Sequence, residues 1–154
     1  MTTTHVDAGP RKVSRSVDVR ASATELFDAI ADPHRHGQLD GSGTVKDTVK
    51  GPERLSQGAK FSVSMKQYGV PYRITSKVTQ YVTDQVLEWQ HPAGHRWRWE
   101  LAAQPDGTTR VTETFDYSTI NGLQARVLEL MGVPKQNAAG IEATLTKLQQ
   151  QHAG

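Results

Sequence analysis

The chain has 154 residues, enough for one domain with a sizeable buried core. With 36% hydrophobic and 22% charged residues it is too apolar for a disordered chain, and a net charge of +2 from 18 basic and 16 acidic residues leaves no basic stripe of the kind that binds nucleic acid. There is no cysteine, so disulfides, thiolate catalysis and cysteine-ligated zinc are excluded.

Met1 to Pro10 lacks the apolar stretch of a signal peptide, and no window approaches the roughly 18 apolar residues of a membrane span. The expectation is a mobile tail over 1–10 and one domain over 11–152, cytoplasmic and without stable membrane insertion. Lys12 to Arg20 alternates, with Val13, Val17 and Val19 on one face, and reads as a half-buried strand. Ser22-Ala-Thr-Glu25 has the spacing of a capping box, and Leu26, Phe27 and Ile30 give the following helix an apolar face. Asp32-Pro33 stops that helix, because proline disfavours helical geometry in the residue before it. His34 to Asp40 reads as a second short helix or a loop, and Gly41-Ser42-Gly43 as a hinge.

Strands are predicted at 44–50, 59–67, 71–82, 85–91, 95–104 and 108–117, separated by turn residues such as Gly51-Pro52 and Pro105-Asp-Gly107. Phe61, Val63 and Met65 share a face, as do Tyr72, Ile74, Ser76 and Val78. The same phase joins Trp97, Trp99 and Leu101, and then Val111, Glu113, Phe115 and Tyr117. Arg73, Lys77, Arg96, Arg98, Glu100, Thr112, Thr114 and Asp116 fall on the opposite, wet face, where the charged ones are expected to form cross-strand pairs. From 121 to about 151, Leu123, Val127, Leu130 and Met131 and then Ile141, Leu145 and Leu148 recur at helical spacing around Gly132-Val-Pro134, which predicts two helical pieces or a sharp bend.

One helix cannot cover a flat sheet of this size, so the sheet must curl around it and leave a cavity for a small apolar ligand. At this point the chain resembles the START-like, or helix-grip (SRPBCC), superfamily, and within it the polyketide cyclase/dehydrase-like proteins of actinobacterial type. The resemblance rests on Ser22-Ala-Thr-Glu-Leu-Phe-Asp-Ala-Ile-Ala-Asp-Pro33, Val86-Leu-Glu-Trp89, Trp97-Arg-Trp-Glu-Leu101 and Gly107-Thr-Thr-Arg-Val-Thr-Glu-Thr-Phe-Asp116. It implies an α+β fold: a curved antiparallel sheet of six to seven strands around a long C-terminal helix, with two short helices between strands 1 and 2. It implies a ligand cavity but no reaction, since no catalytic signature of that group matches residue by residue.

The expected lining is Met65, Tyr72, Ile74, Trp89, Trp97, Trp99, Glu113, Phe115, Tyr117, Val127 and Met131. Glu113 is the candidate polar anchor or general acid/base, unless a bulge or an edge position returns it to solvent or a tryptophan N–H pairs with it. His91 and His95 flank a turn, and His34 and His36 flank Arg35, without the convergence that metal ligation needs; no metal and no cofactor are expected. His36 and Asp40 read as solvated loop residues, with the cavity mouth as the alternative. Ser42 lacks the surroundings of a nucleophile elbow. Three functions compete: a carrier or sensor of a hydrophobic polyketide-, lipid- or isoprenoid-like molecule; an aromatase/cyclase or dehydratase using Glu113, Tyr72 or a histidine for proton transfer; and a co-chaperone-like interaction module. The first is preferred, as a monomer or homodimer.

Overall fold

The structure is a computed structural model that describes residues 3–36, 45–67 and 70–152, with 45–48 and 65–67 described by their backbone alone. The strands are β1 (Thr4–Val6), β2 (Lys12–Val19), β3 (Val45–Lys50), β4 (Lys60–Gln67), β5 (Val70–Val82), β6 (Val86–Gln90), β7 (Arg96–Ala103) and β8 (Thr109–Asp116). The helices are α1 (Ala23–Ile30), α2 (Gly122–Leu130) and α3 (Val133–Gln151), with a 3₁₀ turn at Pro33–Arg35. All eight strands join one antiparallel sheet in the order β1-β2-β8-β7-β6-β5-β4-β3. The strand bounds follow the predicted ones closely, and the helix-grip architecture is the one expected.

One detail differs, and two others become definite. Thr4–Val6, placed in the expected tail, pairs with β2 as an edge strand, so the sheet has eight strands rather than six or seven. Of the segment expected as a second short helix or a loop, the described residues show a 3₁₀ turn over Pro33–Arg35, capped by Asp32 accepting from the His34 N–H at 2.9 Å, and residues 37–40 lie outside what is described. The terminal helix is split, because Gly132 adopts the left-handed conformation at φ 75° and Pro134 falls in the first turn of α3.

The local chemistry explains the starts. The Ser22 hydroxyl accepts from the Glu25 N–H at 3.1 Å, capping α1 as the spacing predicts. α1 then buries Leu26, Phe27, Ala29 and Ile30. Gly51 is required for a different reason: a Cβ there would approach the Phe61 Cβ to 2.8 Å.

Eight strands at their normal spacing extend over roughly 34 Å, while a helix is about 10 Å wide. α3 therefore packs on part of the sheet, β2 and β8, through Ile141, Thr144, Leu145 and Leu148. α1 contacts β7 and turns the Phe27 ring edge-on to Tyr81 of β5 at 5.4 Å, and Leu55 is fully buried.

Candidate functional site

The strand registers align side chains in rows across the concave face. Val78, Trp89, Trp97, Phe115 and Val13 lie side by side on β5, β6, β7, β8 and β2. Two residues along each strand, or three on β5 where a bulge between Val78 and Gln80 shifts the register, Tyr81, Leu87, Trp99, Glu113 and Arg15 form a second row. The first row is aromatic and extends at both ends. Trp97 tilts against Phe115 at 5.0 Å, Phe115 stacks on Tyr117 at 5.5 Å, and His95 meets Phe115 at 5.2 Å. On the other side Trp89 meets Phe61 edge-on at 5.4 Å and stacks with His36 at 5.1 Å.

Burial divides the wall. Trp99, Phe115 and Tyr117 are sealed, whereas Ile74, Trp89 and Trp97 keep part of their surface open. Tyr72, on the same phase, is 37% exposed. The Met65 side chain and Asp40 and Ser42 lie outside what is described. Val127 and Met131 depart from the expected enclosed lining: they are 45% and 64% exposed, on the same helix face as Leu123 and Leu130. The cause is the break at Gly132, which stops α2 from continuing the buried stripe of α3. α2 instead turns Ala125 inward, and its Glu129 accepts from the Tyr117 hydroxyl at 3.0 Å and lies 3.9 Å from Arg11.

The second row carries the polar groups. Glu113 is 7% exposed, and β8 runs in unbroken register with both neighbours, so no bulge or edge returns it to solvent. Its cross-strand neighbours are Arg15 and Trp99. Arg15 donates from Nε to Glu142 on α3 at 3.1 Å and from a terminal nitrogen to the Ser14 carbonyl at 2.8 Å. The Trp99 indole N–H is buried without a hydrogen-bond acceptor among the described residues. Such a donor costs about 1–3 kcal/mol until something accepts from it.

His36, His91 and His95 are not freely solvated bases. His36 is buried, its Nε2 lies 2.7 Å from the Ile30 carbonyl, and burial lowers its pKa. The reading of His36 as a solvated loop residue is thereby corrected: the Asp32-capped turn folds the ring back under α1 and onto Trp89. Burial, with His91 nearby, pushes His95 down to about 4, and burial also lowers His91; the two rings stack at 4.2 Å. Both rings are thus neutral near pH 7. Among the described residues no group of three or more His, Asp or Glu converges on a metal position.

The convex face carries part of the pairing expected of it: Arg98–Glu88 and Lys12–Asp116 are cross-strand, Arg98–Glu100 runs along β7, and Lys77 has no ion pair among the described residues. Arg98 lies 3.6 Å from Glu88 and 3.3 Å from Glu100, and Lys12 lies 3.9 Å from Asp116. Sequence reasoning missed Glu88, which is 5% exposed and accepts from the Thr79 hydroxyl at 2.9 Å. Its position opposite Arg98 was the signal available.

Among the described residues no helix is long and apolar enough to cross a membrane. Residues 10–153 match the family described as polyketide cyclase/dehydrase and lipid transport. The chain is 55% identical to uncharacterized protein Rv0088 of Mycobacterium tuberculosis over 99% of its own length and 69% of that relative's. Among solved structures it resembles a Rhodobacter sphaeroides protein with a TM-score of 0.73 at 14% identity, covering 98% of this chain and 97% of that one. A Mycobacterium smegmatis protein, Ms6760, matches with a TM-score of 0.66 at 16% identity over 99% of both chains. At those identities the structural likeness speaks for the helix-grip fold alone. The family match spans nearly the whole chain, and the chain belongs to the polyketide cyclase/dehydrase and lipid transport family.

Proposed function

We propose that the protein binds a hydrophobic small molecule, polyketide-, lipid- or isoprenoid-like, against the concave face of its sheet in the cytoplasm. The observation that carries this reading is the in-register pair Trp89 and Trp97, two large indoles left partly open on strands outside the main footprint of α3. Rigid aromatic area of this kind favours flat or extended apolar ligands. The second row, with the Glu113 carboxylate beside the unaccepted Trp99 N–H, supplies a place for a ligand's polar end.

Native mass spectrometry of protein purified from its own host tests the reading. A retained apolar molecule that is lost from a Trp89→Ser/Trp97→Ser variant supports it. A wild-type protein that is empty and takes up no member of a broad hydrophobic panel counts against it.

A second reading, an aromatase/cyclase or dehydratase, is favoured by one feature: a buried acid on the wall, two residues along its strand from the aromatic row. Glu113→Gln separates the two. In a carrier it changes affinity for ligands with a polar end; in an enzyme it stops turnover while binding persists.

A further inference from the structure

The convex face holds a feature that the apolar wall does not use. Lys60 on β4 and Lys77 on β5 are direct cross-strand partners, Lys77 is the partner of Gln90, and Gln90 is the partner of Arg96. Like charges placed directly opposite each other on a sheet destabilise it. None of the ion pairs among the described residues involves Lys60 or Lys77. The two lysines open on a shallow hollow of about 360 Å³ whose wall also includes Thr75, Gln90, His91 and Gly94 and holds no acidic residue.

The hydrogen bonds around this hollow leave donors to spare. The Gly94 carbonyl already accepts from Gln90 at 3.0 Å and from Thr119 at 2.7 Å, and the His91 carbonyl accepts from the Gly94 N–H at 2.9 Å. His91 Nδ1 accepts from the Ala93 N–H at 2.9 Å, which places the ring proton on Nε2. Next along the row, the Arg96 Nε is buried without a hydrogen-bond partner among the described residues. Ammonium groups, a hydroxyl, an amide N–H and an imidazole N–H surround one hollow, and the Gly94 and His91 carbonyls on its wall are already engaged.

We propose that this hollow between Lys60 and Lys77 is an anion site for a phosphate group, free or carried by a phosphate ester. A dianion between the two ammonium groups removes their repulsion and accepts from the remaining donors. Lys60, Lys77 and Gln90 lie on the opposite face of the sheet from the apolar wall, and the two sites meet at His91, which stacks on His95.

Thermal unfolding of the full chain, titrated with inorganic phosphate and with glycerol phosphate against chloride at equal ionic strength, tests it. Phosphate is expected to raise the melting temperature saturably beyond chloride. Each single variant, Lys60→Gln or Lys77→Gln, is expected to bind about fivefold more weakly, and the double variant to lose the effect. Arg110→Gln, which breaks the pair with Asp18 elsewhere on the convex face, is expected to keep it. Sedimentation with phosphatidic acid vesicles, against phosphatidylcholine vesicles, distinguishes the sources. Capture that the double variant abolishes assigns a lipid headgroup, and no capture assigns a soluble phosphate. A phosphate response no larger than that of chloride, or one that survives in the double variant, overturns the proposal.

Discussion

Phe115→Ala tests whether the aromatic row is a packed wall. Phe115 is 1% exposed and touches three rings, His95, Trp97 and Tyr117, at centroid distances of 5.2, 5.0 and 5.5 Å. Truncating a buried phenylalanine costs about 3–5 kcal/mol from lost transfer energy and the cavity left behind. Against a total stability of roughly 5–15 kcal/mol that is a large fraction. A domain of this size loses about 2–4 °C of melting temperature per kcal/mol, so a fall of about 10 °C is expected. Urea unfolding should show a lower midpoint with an unchanged slope. A second readout is local: Phe115 helps keep water from His95, whose pKa is held at about 4, so the variant should raise that pKa toward 6.5 in an NMR titration. A loss below about 1 kcal/mol together with an unmoved His95 would refute the inward packing of this row.

Acid should destabilise the protein through the same ring. Below pH 6.5 the unfolded chain protonates His95 while the folded chain, with its pKa depressed to about 4, does not. Stability is therefore lost as pH falls from about 6.5 to 4, by roughly 2–3 kcal/mol for His95 once its partial exposure is discounted. His36 and His91 add with the same sign, and His95→Gln should flatten the pH dependence of the urea midpoint. Gly132→Ala should cost about 1–2 kcal/mol, because a Cβ at φ 75° is strained even though nothing lies within 4 Å of it. A variant as stable as the parent would show that the break between α2 and α3 is not held at this residue. Tyr117→Phe removes the hydroxyl bonded to Glu129 and about 1–2 kcal/mol of local tethering. Amide exchange in α2 should accelerate while exchange in β8 stays slow; equal protection in both proteins would rule out the tether.

Much of this architecture was legible because period-2 alternation is a strong signal once a sheet has one wet face. The phase of Val111, Glu113, Phe115 and Tyr117 placed an acid among apolar neighbours, and the unbroken register of β8 puts Glu113 there. The Ser22 cap and the Gly132 break were readable because each rests on one residue's local chemistry. What failed was information carried between segments. Thr4–Val6 is too short for periodicity and becomes a strand through its pairing with β2. Val127 and Met131 mark an apolar helix face, but a stripe does not say what covers it. His36 looks like a loop residue until the 3₁₀ turn folds it under Ile30 and onto Trp89.

The central claim is that Trp89 and Trp97 form an accessible binding wall, with Trp99 sealed behind them. Contact quenching by brominated fatty acids of graded length, followed in proteins that retain one tryptophan each, tests it most directly. Saturable quenching of Trp89 and Trp97 at one ligand per chain, with Trp99 little affected, is the expected result. Uniform weak quenching of all three that rises linearly with quencher and never saturates would contradict a bound ligand on this face.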